Sequence, residues 1–194
     1  KARESLDSVV IRLAGESPAP KAERKPVNDA ALRRYVDGRM KLLSGDAAGA
    51  IAELQEATKL DPSSGEPWRE LGEAQLAQGL RSEAIASFRA AIAAGLPEPR
   101  VLEFLGRAAL ERSDFEEASR LLARASMSQP DRADPALGRV ILVELSRALA
   151  PMGHVVAAME AQIKALTAPA QITASTRYGN ELGSIFRRQG DLWR

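Results

Sequence analysis

The sequence contains no cysteine, a single histidine and few aromatic residues. Without cysteine there is no disulfide, no thiolate zinc site and no cysteine nucleophile, and one histidine leaves little for metal or triad chemistry. That residue, His154, follows a turn at Met152-Gly153 with no acid beside it, which is typical of a solvated loop histidine. We therefore expect no enzyme: no catalytic residue, no metal and no cofactor.

An excess of charge of one sign and long apolar runs are also missing. The 27 basic and 26 acidic residues leave a formal net charge of +1, so no overall field draws in nucleic acid or an anionic membrane. No apolar run approaches the roughly 20 residues that span a bilayer. We expect no nucleic-acid partner and no direct membrane insertion of this fragment.

The residues that are present favour helices. Alanine is abundant among Leu, Glu and Arg, aromatics are only 4% of the chain, and together these predict an all-α fold. Residues 1–17 contain one short segment whose apolar side chains have helical spacing, with a strand as the alternative: Leu6, Val9, Val10 and Leu13. The prolines and charges of residues 17–26 then predict an extended linker, or a strap lying over the first helices.

A period of 34 residues organises the rest of the chain. Five columns agree at this period: Gly38, Gly72 and Gly106; Gly45, Gly79 and Ser113; Ala50, Ala84 and Ala118; Leu54, Phe88 and Leu122; and Ala57, Ala91 and Ala125. Small residues recur where helices cross closely, and larger ones fill the adjacent space. An ordinary helical bundle whose alanines happen to align is the alternative, and five concordant columns argue against it.

These residues resemble the tetratricopeptide repeat family, whose unit is a 34-residue helix-turn-helix. The second repeat matches the family pattern best, through Trp68, Leu71, Gly72, Gly79, Ala84, Phe88, Ala91 and Pro97. Gln75 stands where the family prefers Tyr. The first repeat departs more, with Arg34, Asp37 and Lys41 in the columns of Trp, Leu and Tyr.

The resemblance implies an all-α, right-handed superhelix of about four repeats plus the first helix of a fifth. Residues 1–27 form an N-terminal segment and proline-rich linker, and residues 28–194 form the array. Repeats are expected near 31–64, 65–98, 99–132 and 139–172, with a partial repeat at 176–194 that includes Leu182, Gly183, Phe186 and Gly190. Small insertions near 132–138 and 167–175 shift the period.

The resemblance also implies a concave groove, lined by the first helices, that binds peptides or partner helices. The expected groove residues are Tyr35, Arg39, Arg69, Glu73, Arg100, Phe104, Arg107 and Arg147. Further inward positions are Glu70, Val143 and Asn180. Arginine offers a planar fork for carboxylates or carbonyl oxygens. The alternative is that these are solvated charges that pair with their neighbours on the helix surface.

One subset of the family grips the acidic C-terminal tails of chaperones through a clamp of Lys, Asn and Arg. At the equivalent positions this chain has Tyr35, Arg39, Glu70, Arg100 and Phe104. Glu70 would repel the carboxylate that the missing Asn should receive. The sequence therefore argues against a chaperone-tail receptor.

The resulting hypothesis is a non-enzymatic scaffold that binds a protein or peptide partner. Two alternatives stay open: the recruitment or regulatory arm of a larger enzyme, and an anchored bacterial envelope assembly factor. Both ends look cut from something longer, and only six of the basic residues are lysines, a bias that suggests a GC-rich bacterial genome. The expected compartment is bacterial cytoplasm or periplasm.

Overall fold

The computed structural model of the protein describes residues 4–15, 28–128 and 134–167. In these ranges the chain forms nine α-helices, and none of them combines the length and apolar character that crossing a membrane requires. The helices are α1 (Leu6–Ala14), α2 (Asp29–Leu43), α3 (Ala47–Leu60), α4 (Gly65–Ala77), α5 (Arg81–Ala93), α6 (Pro99–Glu111), α7 (Phe115–Met127), α8 (Pro135–Leu149) and α9 (Val155–Thr167).

From α2 onward the helices pack as sequential pairs, α2 with α3, α4 with α5, α6 with α7 and α8 with α9. Each pair also contacts the next along the chain, chiefly through α3 against α4 and α7 against α8. This arrangement confirms the all-α helical-repeat solenoid of about four repeats. The repeat bounds stay a prediction. The linker at 17–26 and the partial repeat at 176–194 lie outside the described residues.

The glycine and large-residue columns of the sequence meet each other inside each of the first three pairs. A Cβ added to the helical glycines would come within 2.7 Å of Leu54 at Gly38, 2.6 Å of Phe88 at Gly72 and 2.6 Å of Leu122 at Gly106. Real Cβ atoms do not approach other atoms so closely, so only glycine allows the two helices of a pair to cross here. The 34-residue period therefore reflects one packing contact repeated three times.

The turn inside each pair needs a residue with positive φ. Gly45, Gly79 and Gly153 supply it at φ of 83°, 75° and 83°, and Ser113 adopts φ of 60° in the third pair. A side chain with a Cβ is strained in this left-handed region, whereas glycine is not.

We expect Ser113→Gly to stabilise the chain by about 0.5–1 kcal/mol, because relief of the left-handed strain exceeds the extra entropy that glycine loses on folding. Urea denaturation followed by circular dichroism measures the change. Ser82→Gly, at an exposed helical position in α5, is the control and should destabilise. Equal destabilisation by both substitutions would contradict the strain argument.

The first pair departs from the repeat pattern because nothing in the described chain packs on its outer side. Later first helices bury an apolar pair against the preceding repeat: Pro67 and Leu71, Val101 and Leu105, Ile141 and Leu145. The same columns of α2 hold Arg33 and Asp37, which are exposed. These charges keep the open side of the first pair solvated, as terminal repeats of an array require.

Residues 6–14 form a helix, so the strand alternative is wrong for this segment. Although α1 precedes the first pair in sequence, it packs against α7 and α9 of the third and fourth pairs. Its buried residues Leu6, Val9 and Val10 join the largest apolar cluster, together with Leu122, Leu145 and the alanines of α9. The N-terminal helix is thus part of the core at the far end of the array.

Candidate peptide-binding groove

The first helices of the pairs, α2, α4, α6 and α8, form the surface that we call the groove. Direct contacts join α2 to α4 and α6 to α8. Successive repeats place corresponding residues on this surface, so Arg39, Glu73, Arg107 and Arg147 occupy one column along it. The side chains in these columns determine what the groove can recognise.

Arg69 is held by three carboxylates of α4 and by a fourth that directly precedes α6. Its guanidinium lies 3.1 Å from Glu66, 2.7 Å from Glu70, 2.6 Å from Glu73 and 3.3 Å from Glu98, and its side chain is only 17% exposed. Burial acts to lower the pKa of Arg69, but the surrounding carboxylates outweigh it and the pKa is raised. Arg69 and Glu73, both expected groove residues, therefore neutralise each other within the protein.

Arg100 and Arg107 are also paired within the chain. Arg100 Nη2 lies 2.7 Å from Asp134, whose pKa is lowered first by the backbone N–H of Leu137 and also by Arg100. Arg107 Nη1 lies 3.1 Å from Glu103 Oε1. A charged ligand would have to compete with these ion pairs at the rim of the groove.

Phe104 is the aromatic centre of the expected set. Its ring meets Phe88 edge-on at 5.2 Å between centroids, and the guanidinium groups of Arg81 and Arg107 lie 5.6 and 5.9 Å from its centroid. The ring of Phe104 therefore takes part in the packing between α5 and α6 and is also flanked by two cations.

Arg39 and Arg147 differ from the other arginines of the set. Neither has a carboxylate within ion-pair distance among the described residues, and both are exposed. Arg39 Nη1 donates a hydrogen bond to Tyr35 Oη at 3.3 Å, which orients the guanidinium along α2. Among the described residues, exposed guanidinium groups without an ion pair therefore lie on the groove in the first pair and in the fourth pair.

Exposed apolar side chains accompany these two arginines. Leu32, Val36, Met40 and Leu43 lie along α2, and Val140 and Val143 lie on α8. At the α2 end a cleft of about 190 Å³ opens between the first two repeats. Its lining residues are Asn28, Ala31, Leu32, Tyr35, Asp61, Ser64, Glu66 and Pro67. Aromatic or aliphatic side chains of a ligand would fit such an apolar surface.

A buried acidic pair, which sequence analysis did not predict, lies between α6 and α8. Glu103 and Glu144 are each 7% exposed. Burial first, and then the neighbouring charge of Glu103, raise the pKa of Glu144 to about 7, while Arg107 and Arg147 act in the opposite direction. Glu103 Oε1 and Glu144 Oε2 lack an aligned hydrogen-bond donor among the described residues. A single proton held between the two carboxyl groups would satisfy both.

Sequence spacing could not have revealed this pair, because Glu103 and Glu144 occupy different columns and an irregular segment separates their repeats. Of the expected inward residues, Asn180 lies outside the described chain. Within the described ranges no group of His, Cys, Asp or Glu residues could hold a metal ion.

Comparison with known proteins finds a sequence family that matches part of the chain and solved structures with a similar fold. Residues 41–107, from the end of α2 through most of α6, match the sequence family described as Tetratricopeptide repeat. A crystal structure of MamA is 20% identical, with a TM-score of 0.56 over 70% of this chain and 76% of that one. A second MamA structure is 24% identical, with a TM-score of 0.58 over 73% and 74%. No curated protein matches in sequence.

Proposed function

We propose that the chain is a tetratricopeptide repeat protein, as the family match over residues 41–107 indicates, and that it is a non-enzymatic scaffold that holds an extended peptide or protein segment in the groove. Repeats of this family imply protein–protein interaction and are generally non-catalytic. Preformed helices favour such binding because little ordering entropy is lost on the repeat side.

The observation that supports this proposal is the contrast between arginines that form ion pairs within the chain and arginines that have no ion pair among the described residues. Arg69, Arg100 and Arg107 are neutralised by acids of the chain itself. Arg39 and Arg147 stand exposed, each beside apolar side chains that solvent also reaches. An exposed guanidinium next to an apolar contact suits a peptide that brings a carboxylate or a carbonyl oxygen together with an aliphatic or aromatic side chain.

The proposal also assigns a role to the centre of the groove. The internal ion pairs of α4 and α6 leave little free charge there, so this part would contribute shape and backbone contact. The ligand would then be recognised at two separated points, one in the first repeat and one in the fourth. Binding at two linked points gains affinity without any strong single contact.

We expect the double variant Arg39→Glu, Arg147→Glu to bind groove ligands at least about tenfold more weakly than the unaltered chain, because the loss of even one charge-assisted contact of roughly 1.5 kcal/mol has that effect. A phage-displayed random peptide library panned against the intact chain supplies the ligands. Fluorescence anisotropy with the selected peptides then measures affinity.

Arg120→Glu is the matched control, since it reverses an exposed arginine on α7, outside the groove. It should leave peptide affinity within about twofold, as expected for a remote surface charge. If the groove variant and the control behave alike with every selected peptide, the groove is not the binding surface. If panning selects no peptide at all, peptide binding itself is refuted.

A further inference from the structure

The second helices α7 and α9 are separated by a cleft that α1 fills. These two helices make almost no direct contact with each other, yet both pack against α1. Leu6, Val9 and Val10 of α1 are buried in the same apolar cluster as residues of both helices. The helix therefore bridges two repeats that the array alone would leave apart on this side.

Residues that pack against α1 differ from their equivalents in other repeats, and the difference favours the docking of a helix. Ala123 on α7 is fully buried, whereas Gln55 and Arg89, its equivalents in the first two repeats, are exposed. Ala157 on α9 is 1% exposed and stands where the second and third repeats have Glu83 and Glu117 and the first has Gly49. Both alanines are buried in the same apolar cluster as α1. The α7–α9 cleft is thus adapted to a helix.

Polar contacts fix the direction of the docked helix. The backbone N–H of Leu6, in the first turn of α1, donates to Glu160 Oε2 of α9 at 2.5 Å. Glu4 Oε2 lies 3.7 Å from Nδ1 of His154, at the start of α9. A carboxylate at a helix N-terminus satisfies free N–H groups and the helix dipole. The cleft consequently recognises the start of a helix as well as its apolar side.

We propose that the α7–α9 cleft is a binding site for a short amphipathic helix. The chain's own α1 fills the cleft in cis, and α1 of a second copy of this chain fills it after exchange. Every copy carries the fitting ligand, with apolar residues at positions 6, 9, 10 and 13 and a free helix N-terminus that complements Glu160. The helix spans only nine residues and fully buries few side chains, so it is held weakly enough to exchange. Exchange joins two arrays and leaves the groove of each one open.

Two complementary variants test this exchange. Val9→Asp disables α1 but leaves its cleft free, while Ala123→Glu blocks the cleft but leaves α1 free. We expect each variant alone to be monomeric and an equimolar mixture to form a heterodimer, detected by sedimentation velocity. The matched control is a mixture in which Ile11→Asp, on the exposed side of α1, takes the place of Val9→Asp. This mixture should give no heterodimer.

A labelled synthetic peptide of residues 1–15 reports on the cleft itself. Fluorescence anisotropy should show binding to the Val9→Asp chain at least tenfold tighter than to the unaltered chain, whose own α1 competes. The Ala123→Glu chain should not bind the peptide. If folded variants neither bind the peptide nor pair, the site does not exist. If the peptide binds but no heterodimer forms, the second copy is refuted as the occupant.

Circular dichroism establishes whether both variants fold. If either does not, a protease site inserted between Pro20 and Lys21 of the otherwise unaltered chain allows α1 to be released after folding. The labelled peptide should then replace the cleaved helix, and dilution should release it. A cleaved helix that never exchanges with the peptide would overturn the proposal.

Discussion

Replacing Gly72 with alanine is expected to destabilise the protein by about 2–3 kcal/mol, although alanine is the better helix former by about 1 kcal/mol. The new Cβ would lie 2.6 Å from Cε1 and 2.7 Å from Cδ1 of Phe88. Relief of that overlap requires α4 and α5 to separate or the phenyl ring to leave its rotamer. Urea denaturation followed by circular dichroism gives the free energy of unfolding.

Two further variants distinguish the clash from helix propensity. Ala86→Gly, at an exposed position of α5, should cost about 1 kcal/mol and establish the ordinary preference for alanine. In the Phe88→Ala background the ring is absent, so Gly72→Ala should no longer destabilise. If the effect of Gly72→Ala is the same with and without the ring, the contact between these columns is not its cause.

The second large effect is a dependence of stability on pH that Glu144 causes. The pKa of Glu144 is raised from an ordinary value of 4.5 to about 7, so the folded state holds this proton more tightly than the unfolded chain. The stabilisation is complete below pH 4.5 and is lost as pH rises through about 7, after which it changes no further. The loss amounts to at most about 3 kcal/mol.

Glu144→Gln removes this titration and keeps a hydrogen-bond donor beside Glu103. We expect the variant to match the unaltered chain near pH 5 and to exceed its stability by about 2–3 kcal/mol near pH 8. Denaturation curves at both values measure the difference. Glu83→Gln, which alters an exposed glutamate of α5, is the control and should show no such divergence. Parallel pH profiles for the chain and its Glu144→Gln variant would refute the buried pair.

The groups around Glu144 come from two helices. Glu103 and Arg107 face it from α6, and Arg147 lies on its own helix α8. Ionisation of both carboxyl groups would place two negative charges between the third and fourth repeats, opposed by the two arginines. The pH dependence therefore reports on the junction between these repeats.

The fold could be predicted from the sequence because its main contacts are local and repeated. Gly72 and Phe88 lie 16 positions apart, and the same contact recurs at Gly38 with Leu54 and at Gly106 with Leu122. Each column of residues that helix crossing requires therefore occurs three times in the sequence. The polar residues of α2 could be recognised in the same way, because they stand in columns where the repeat pattern has apolar residues.

The candidate site was less accessible to sequence reasoning. Three of the four carboxylates around Arg69 lie within about one helical turn of it and were predictable as neighbours, but Glu98 lies 29 positions away, directly before α6. The docking of α1 was not predictable, because the apolar side of a nine-residue helix does not identify its receptor. The Glu103–Glu144 pair depends on how two repeats are offset across an irregular segment.

The place where α1 docks also has a consequence during synthesis on the ribosome. The helix emerges before the other described helices, and its hydrogen-bond partner Glu160 follows Leu6 by 154 positions. At translation rates of roughly 5–20 residues per second, roughly 10–30 s pass between the synthesis of α1 and that of Glu160. Each pair from α2 to α7 can meanwhile fold on the one before it. The nascent chain thus keeps Leu6, Val9 and Val10 uncovered until α9 is complete, an interval in which a chaperone can bind them.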